Sequence, residues 1–363
     1  MKDGTVTVSN LTHQICALCL AIEHVDPFRN KYSDAESKVK AVTTCLSAMA
    51  YKMPEPMHGI VSKLILDVVR PIVTQMHAMA VAPEHSLFVQ QNGGIYIHAE
   101  PPRDITVSDK TNIKYALKRD KVDTRDHVLQ LPKKPSLPSS VDLRTSGFMP
   151  RVLDQGLAGT CAAHASANAL HFLLKKEKVG DWSPSRLYIY FVTRVYVEHT
   201  PASEDSGVCI RDVCKALKMY HACDEKFMPY RDTDIALKPS ALAVTNANLH
   251  KQIQYSAVPQ SLTDFKTTLA AKIPIIVGIQ VYESFESDAV ASTGQVPMPN
   301  MNKEQCLGGH AVLLTSYDDT TKKFTCANSW GNSWGDKGFF HIDYDYLMNP
   351  DLCSDCWAVQ FFD

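Results

Sequence analysis

Near Ile273 the hydrophobic pattern of this chain changes its period, and that change limits what the chain can fold into. Upstream, apolar residues recur at helical spacing: Ala162, Ala165, Ala169 and Phe172 form one stripe of a segment running from about Thr160 to Lys178, with lysines in its last turn and Gly180 as a stop. Downstream, runs at 274–281, 310–316, 324–328 and 338–342 read as strands. Helices first and strands second indicate an α+β protein with two lobes.

Further helices are expected from Ser183-Pro184-Ser185-Arg186 through Tyr196, with an N-cap serine and proline at the first helical position, and from Asp212 to Tyr220. The first third of the chain carries helical spacing at 33–53 and 58–80, where Ala35, Val39, Val42, Leu46 and Met49 share a stripe and Pro71 interrupts the second segment. A polar, charged stretch runs from Arg103 to Arg125. The prolines and serines from Leu131 to Ser140 then exclude a regular element. The main boundary falls in that linker, giving a mainly helical N-terminal extension over 1–135 and a second domain over 136–363.

At 363 residues the chain is long enough for two such domains, and 45% hydrophobic residues fill ordinary cores. Lys and Arg number 37 against 39 Asp and Glu, so no field of one sign points to nucleic acid or an anionic membrane. The early apolar stretch Ile15 to Ile22 is too short to span a bilayer and follows a polar segment rather than a compact basic one. Neither a membrane span nor a signal peptide is expected. Eleven cysteines without a dense framework leave at least one thiol unpaired, and a reducing compartment fits them best.

Cys161 follows Gln155-Gly156-Leu157-Ala158-Gly159-Thr160, a glycine-permitted turn that leads straight into the alanine-rich helix. A thiol at that point meets the positive end of the helix dipole, which favours thiolate. A thiol nucleophile needs a base, and Gly308-Gly309-His310-Ala311-Val312 offers one at the mouth of an apolar strand. If the hairpin through Asp318-Asp319-Thr320-Thr321 is symmetric about Asp319, Leu314 faces Phe324, Val312 faces Cys326 and His310 faces Asn328. The Asn328 amide oxygen then accepts from one imidazole nitrogen and leaves the other for the thiol. Gln155, just upstream, is suited to donate to a developing oxyanion together with the Cys161 N–H. Trp330 and Trp334 can shield the His-Asn bond from water.

These residues resemble the papain-like (C1) cysteine peptidases, over roughly residues 137 to 363. Leu137-Pro138-Ser139-Ser140-Val141-Asp142 looks like a mature amino terminus of that family. The blocks around Cys161, His310 and Asn328-Ser329-Trp330-Gly331 follow in family order. The resemblance implies a two-lobed fold, a helical lobe against an antiparallel barrel-like one, and hydrolysis of polypeptides without metal or organic cofactor. It assigns Cys161 as nucleophile, His310 as base, Asn328 as orienter and Gln155 as oxyanion donor. Gly207, Gly309 and Trp330 would border the substrate. Ala158 replaces the family's usual half-cystine and Ala162 its usual tryptophan. That departure agrees with a non-secreted enzyme, cytoplasmic or virion-associated, without excluding secretion. Together with residues 204–212, 223–225 and 229–230 it points to the bacterial and large-DNA-virus branch.

For the extension, the resemblance implies an inhibitory prosegment lying across the cleft, although the spaced Glu-Arg-Phe-Asn-Ile-Asn pattern of cathepsin L-type prosegments is not seen. A permanent packing domain is the alternative. For the activity, the rivals are an acyl transferase using the same triad and a catalytically silent interaction module. His164, one turn after Cys161, is a poor base because one helix fixes both residues. The pairs Cys353/Cys356 and Cys16/Cys19 have redox or half-metal spacing but bring no second ligand pair, so structural thiols are expected there. The Asn10-Leu11-Thr12 sequon carries meaning only in a secreted chain.

Overall fold

Small side chains set the packing of the helical lobe. The structure, a computed structural model, describes residues 88–91, 94–97, 114–132, 136–250 and 252–361. The helices expected over 33–53 and 58–80 lie outside these residues. Residues 1–98 and 99–363 form separate compact units. In the first, strands β1 (Phe88–Gln91) and β2 (Gly94–Ile97) pair antiparallel, a feature the helical expectation for the extension does not include.

In the second unit, helix α1 spans Cys161–Lys176 and is buried from Cys161 through Leu170. Five alanines along that stretch, at 162, 163, 165, 167 and 169, let neighbours approach closely. Those neighbours include α2 (Arg186–Val192) and α3 (Ile210–Tyr220). The cap of α2 is Ser185, whose side chain accepts the Tyr188 N–H, so Pro184 precedes the helix instead of opening it. A single π-helical turn, Thr193–Val197, follows α2 where one continuous helix to Tyr196 was expected. Short helix α4 (Ala241–Ala247) completes the lobe.

The other lobe is a seven-stranded antiparallel sheet. Its strands are β3 (Ser140–Asp142), β4 (Ile253–Ala257), β5 (Ile275–Tyr282), β6 (Cys306–Asp318), β7 (Lys323–Ala327), β8 (Phe339–Asp343) and β9 (Cys353–Phe361). The order is β4-β9-β5-β6-β7-β8, with β3 also on β6. Three short helices, α5 (Leu262–Ala270), α6 (Asp288–Thr293) and α7 (Tyr344–Met348), interrupt the strand run. The simple sequence of helices then strands therefore holds only in outline.

Alternation along the central strands separates two cores. Val277 and Ile279 of β5, Val312 and Leu314 of β6, and Phe324 and Cys326 of β7 join a cluster on one face. Ile276, Ala311, Leu313 and Ala327 face the other way and pack with Cys161, Ala162 and Ala165 of α1. The first residues of α1 and the start of β6 thus share one core.

The β6–β7 hairpin differs from the symmetric expectation. Its ladder closes at Asp318↔Lys323, with a four-residue loop in which Lys322 adopts a positive φ of 54°. Tyr317 faces Phe324 and Leu314 faces Cys326, not the pairs expected from a turn centred on Asp319. Between Leu314 and Ser316 the register shifts by one residue, a bulge at Thr315.

Candidate active site

A turn built on glycine and held by side chains brings the chain into α1. Gly156 has φ +57°, and a Cβ there would lie 2.3 Å from the Asp232 carboxylate. Asp154 accepts the Gly156 N–H at 2.9 Å. Thr160, the N-cap of α1, offers no side-chain cap, so first-turn N–H groups stay open. The backbone N–H groups of Cys161 and Ala162, and that of Ala311 from β6, donate toward the Cys161 sulfur. Complete burial outweighs them and pushes the thiol up to about 11.

His310, also fully buried, donates through Nε2 to Asn328 Oδ1 at 2.8 Å. The same oxygen accepts the Ser329 N–H at 2.9 Å, which assigns it as the amide oxygen and places the imidazole proton on Nε2. Nδ1 is then the acceptor nitrogen; it is buried and makes no hydrogen bond among the described residues. Burial pulls the imidazole down to about 4, partly opposed by the Asn328 bond. The Trp330 ring stacks on His310 at 5.1 Å and 27°, and Trp334 meets Trp330 edge-on at 4.8 Å. Both indoles are almost wholly buried, so this side of the imidazole is dry.

Gln155 is wholly buried and held at both ends of its amide. Its Nε2 donates to the Ala158 carbonyl at 3.0 Å, and its Oε1 accepts from Ser329 Oγ at 2.6 Å. One N–H of the amide remains to donate elsewhere. Tyr230 hydroxyl donates to the Gln155 carbonyl at 2.7 Å. His164 does not join this group. Its ring nitrogens lie 3.0 Å from the Thr160 carbonyl and 3.2 Å from the Asp154 carbonyl, where it braces the turn.

Residues 114–118 lie across the site as an extended strap. Leu117 N–H donates to the Gly309 carbonyl at 3.1 Å, and Lys118 N–H to the Val208 carbonyl at 3.4 Å, so the strap bonds to both walls. Tyr115 sits edge-on to His310 at 6.0 Å and to Trp330 at 6.1 Å, and its hydroxyl donates to Glu286 at 2.5 Å. Gly207 has φ +64°, and a Cβ there would fall 1.7 Å from the Ala116 carbonyl oxygen. At Gly309 a Cβ would come within 2.9 Å of the Leu117 carbonyl. Gly207, Gly309 and Trp330, three positions singled out from sequence, all therefore touch one extended segment.

Sequence reasoning passed over the strap, since Tyr115-Ala116-Leu117 sits inside a charged stretch and has no periodicity of its own. It quoted Ser329, Tyr230 and Asp205 only as marks of the family and gave no role in the site to any of them; Asp205 accepts from Gly159 N–H at 2.9 Å and from the Tyr190 hydroxyl and pairs with Lys114 at 3.2 Å. Their roles depend on contacts distant in sequence. The eight cysteines among the described residues are free thiols, and Cys353 and Cys356 lie with their sulfurs 4.0 Å apart. Cys16 and Cys19 fall outside the described residues. Among the described residues no helix is long and apolar enough to cross a membrane.

A helical lobe headed by a cysteine, packed on an antiparallel sheet that carries a histidine hydrogen-bonded to an asparagine, defines the class of papain-fold thiol hydrolases. The chain belongs to the papain family of cysteine proteases, whose model matches residues 137–354. It is 35% identical over 231 residues to a peptidase C1-like protein of Acanthamoeba polyphaga mimivirus, covering 60% of this chain and 73% of that one. To cathepsin K of Gallus gallus it is 29% identical, over 56% of this chain and 58% of the relative. Among solved structures, xylellain, a cysteine protease from Xylella fastidiosa, aligns with a TM-score of 0.63 and 33% identity over 69% of this chain and 97% of that chain. Digestive procathepsin L 3 of the Tenebrio molitor larval midgut aligns with a TM-score of 0.55 over 89% of this chain and 98% of its own, and at 17% identity that likeness concerns the fold alone. The chain is a cysteine peptidase with viral and bacterial relatives.

Proposed function

We propose that residues 136–363 form a cysteine endopeptidase domain working through Cys161, His310 and Asn328, and that residues 1–135 make the chain a precursor whose strap covers the cleft. The observation that carries this reading is the strap itself, bonded through backbone N–H groups to both walls above the buried Cys161 and His310. A segment held by its backbone occupies the place of a peptide substrate.

In the covered state both reacting groups are neutral, because burial raises the thiol and lowers the imidazole. Departure of the strap readmits water and lets the proton pass from Cys161 to His310. The thiolate then attacks the substrate carbonyl carbon. Negative charge developing on the oxygen is met by the Cys161 N–H and the remaining Gln155 Nε2–H. The His310 imidazolium protonates the leaving amine as the C–N bond breaks, leaving an acyl thioester on Cys161. Water, giving its proton to His310, attacks the thioester and releases the acid. Asn328 keeps the ring in the orientation both transfers need. Leu117, whose Cδ2 would lie 2.9 Å from a Cβ on Gly278, with Ile210 Cδ1 at 3.5 Å from the same point, marks the apolar ground on which a substrate side chain would sit.

For location, the reading remains a non-secreted compartment, resting on Ala158 in place of the half-cystine. The test is labelling with a thiol-reactive peptidyl epoxide, mapped by mass spectrometry, on the full chain and on the chain nicked between Leu131 and Ser140. Labelling at Cys161 only after nicking is expected. Equal labelling of both forms would remove the covering role, and peptide cleavage that persists in Cys161→Ala would remove the nucleophile.

A further inference from the structure

Glu198 is a nearly buried carboxylate aimed into the cleft, and the covering strap satisfies it with a lysine. It follows the π-helical turn after α2, where its N–H donates to the Thr193 carbonyl at 2.9 Å. One carboxylate oxygen accepts the Cys209 N–H at 2.8 Å, which fixes the side chain. The other accepts from Lys118 Nζ at 2.8 Å, and only 9% of the Glu198 side chain is exposed. Lys118 Nζ also reaches Ser206 Oγ at 3.3 Å.

The surroundings reinforce the negative charge. Donor atoms of Glu198, Cys209 and Asp212 lie within 4.8 Å of one another. Burial first, and then the charges of Glu198 and Asp120, hold the Cys209 thiol up at about 12. Buried Arg194 does not neutralise the site: its guanidinium donates to the carbonyls of Pro201, Ala202, Glu204 and Ile235, and it stacks on Tyr190. These bonds fix the loop that carries Ser206 and Gly207. When the strap leaves, Glu198 stays oriented by the Cys209 N–H and loses its cation, so that a basic side chain of the substrate can take the place of Lys118.

We propose that Glu198 determines substrate specificity, selecting a lysine or arginine at the third residue from the scissile bond on the side that faces Gly207. The position follows from the strap. Tyr115 lies against His310, Ala116 against Gly207 and Gly159, Leu117 over Gly309, and Lys118 on Glu198. Counting away from the catalytic pair, the basic residue is the third. A substrate backbone between the same walls brings its own third side chain to Glu198. This inference rests on the reading of the cleft as a peptidase site.

The test uses the full chain nicked between Leu131 and Ser140 and a fluorogenic peptide library varying Lys, Arg, norleucine and Ala at each position around the scissile bond. Lys or Arg at the third position should be cleaved with a kcat/KM about 10-fold above norleucine, the scale expected of one little-exposed ion pair. In Glu198→Gln, which keeps the acceptor for the Cys209 N–H, that ratio should fall to about 1. Cleavage by the unsubstituted chain with no preference at that position, or a preference unchanged in Glu198→Gln, overturns the inference and leaves the peptidase reading standing. No cleavage of any member by the nicked chain overturns both.

Discussion

At the scale of single residues, the site is organised by the polar atoms that have partners and by those that wait for one. Gln155 was legible from its place six residues before Cys161, but the group that aims it was not. Ser329 Oγ, 174 positions away, donates to Gln155 Oε1 at 2.6 Å and leaves the amide nitrogen to donate to the Ala158 carbonyl. An oxyanion donor acts only if its direction is fixed before charge develops. Ser329→Ala removes that anchor with little change in volume. In the nicked chain it should lower kcat about 10-fold with KM nearly unchanged, as expected for a contact used mainly in the transition state. Steady-state kinetics on one peptide decides it: a rise in KM at constant kcat would place Ser329 in substrate binding instead. Asn328 shows the same economy, since its Oδ1 serves both His310 and the Ser329 N–H.

At the scale of elements, the hairpin explains how the expected His310–Asn328 pair is real although the expected register is not. The ladder below the bulge, Ser316↔Thr325 through Asp318↔Lys323, continued unbroken would set Asn328 opposite Leu313, on the face away from His310. The extra residue at Thr315 changes the pairing to Leu314↔Cys326 and Leu313↔Ala327. One step further places Asn328 opposite Val312, so His310 is its diagonal neighbour on the same face, within reach of an imidazole. Sequence reasoning found the two residues from their glycine and tryptophan surroundings, and a symmetric hairpin was enough to suggest that they meet. The bulge was not legible, because nothing in Leu314-Thr315-Ser316 marks an inserted residue; the demand comes from the facing strands. The runs of β5 to β8 were legible for the opposite reason: each is bounded by turn residues, β5 to β7 are buried on both faces over most of their length, and β8 alternates. β9 was hidden by its cysteines, which read as a ligand or redox pair. Deleting Ala327 should bring Asn328 opposite Leu313 and turn it away from His310, lowering kcat/KM by at least about a thousandfold while a sheet remains. Circular dichroism and peptide cleavage measured together check this; retention of activity would show that the ladder absorbs the deletion elsewhere.

At the scale of the whole molecule, the strap is clamped at two ends by chemistries that respond differently to pH. Near the catalytic pair, Lys114 meets Asp205, Tyr115 meets Glu286, and Lys118 meets Glu198. Further on, Arg211 of α3 pairs with Asp126 at 3.2 Å and Asp123 at 3.7 Å. Between them Asp120 packs against β9, where its carboxylate accepts from Trp357 Nε1 at 2.7 Å and from the Arg211 N–H at 3.2 Å. Burial, and then the charge of Asp355, raise its carboxyl to about 7 from an ordinary 3.8. Asp355, whose carboxylate accepts the Asp120 N–H at 3.2 Å, is itself raised by burial. A group whose value is raised in the docked state takes up a proton on docking. Its contribution is fully present below about 3.8 and is lost as the pH climbs through about 7. The strap is therefore expected to loosen toward neutral and alkaline pH. Hydrogen exchange at the amides of residues 115–118, followed in the full-length Cys161→Ala chain and corrected for intrinsic rates, should show an opening constant about 10- to 100-fold larger at pH 8 than at pH 5, allowing for solvent screening of a partly exposed pair. Asp120→Asn keeps an acceptor for Trp357 and carries no charge, so it should hold the strap at pH 8 as firmly as at pH 5. An opening constant independent of pH, or the same pH dependence in Asp120→Asn, would move the control of docking to the Lys114 contact, since Asp205, held low against its burial by bonds from Tyr190 and Gly159 and by Lys114, favours the docked strap at high pH instead.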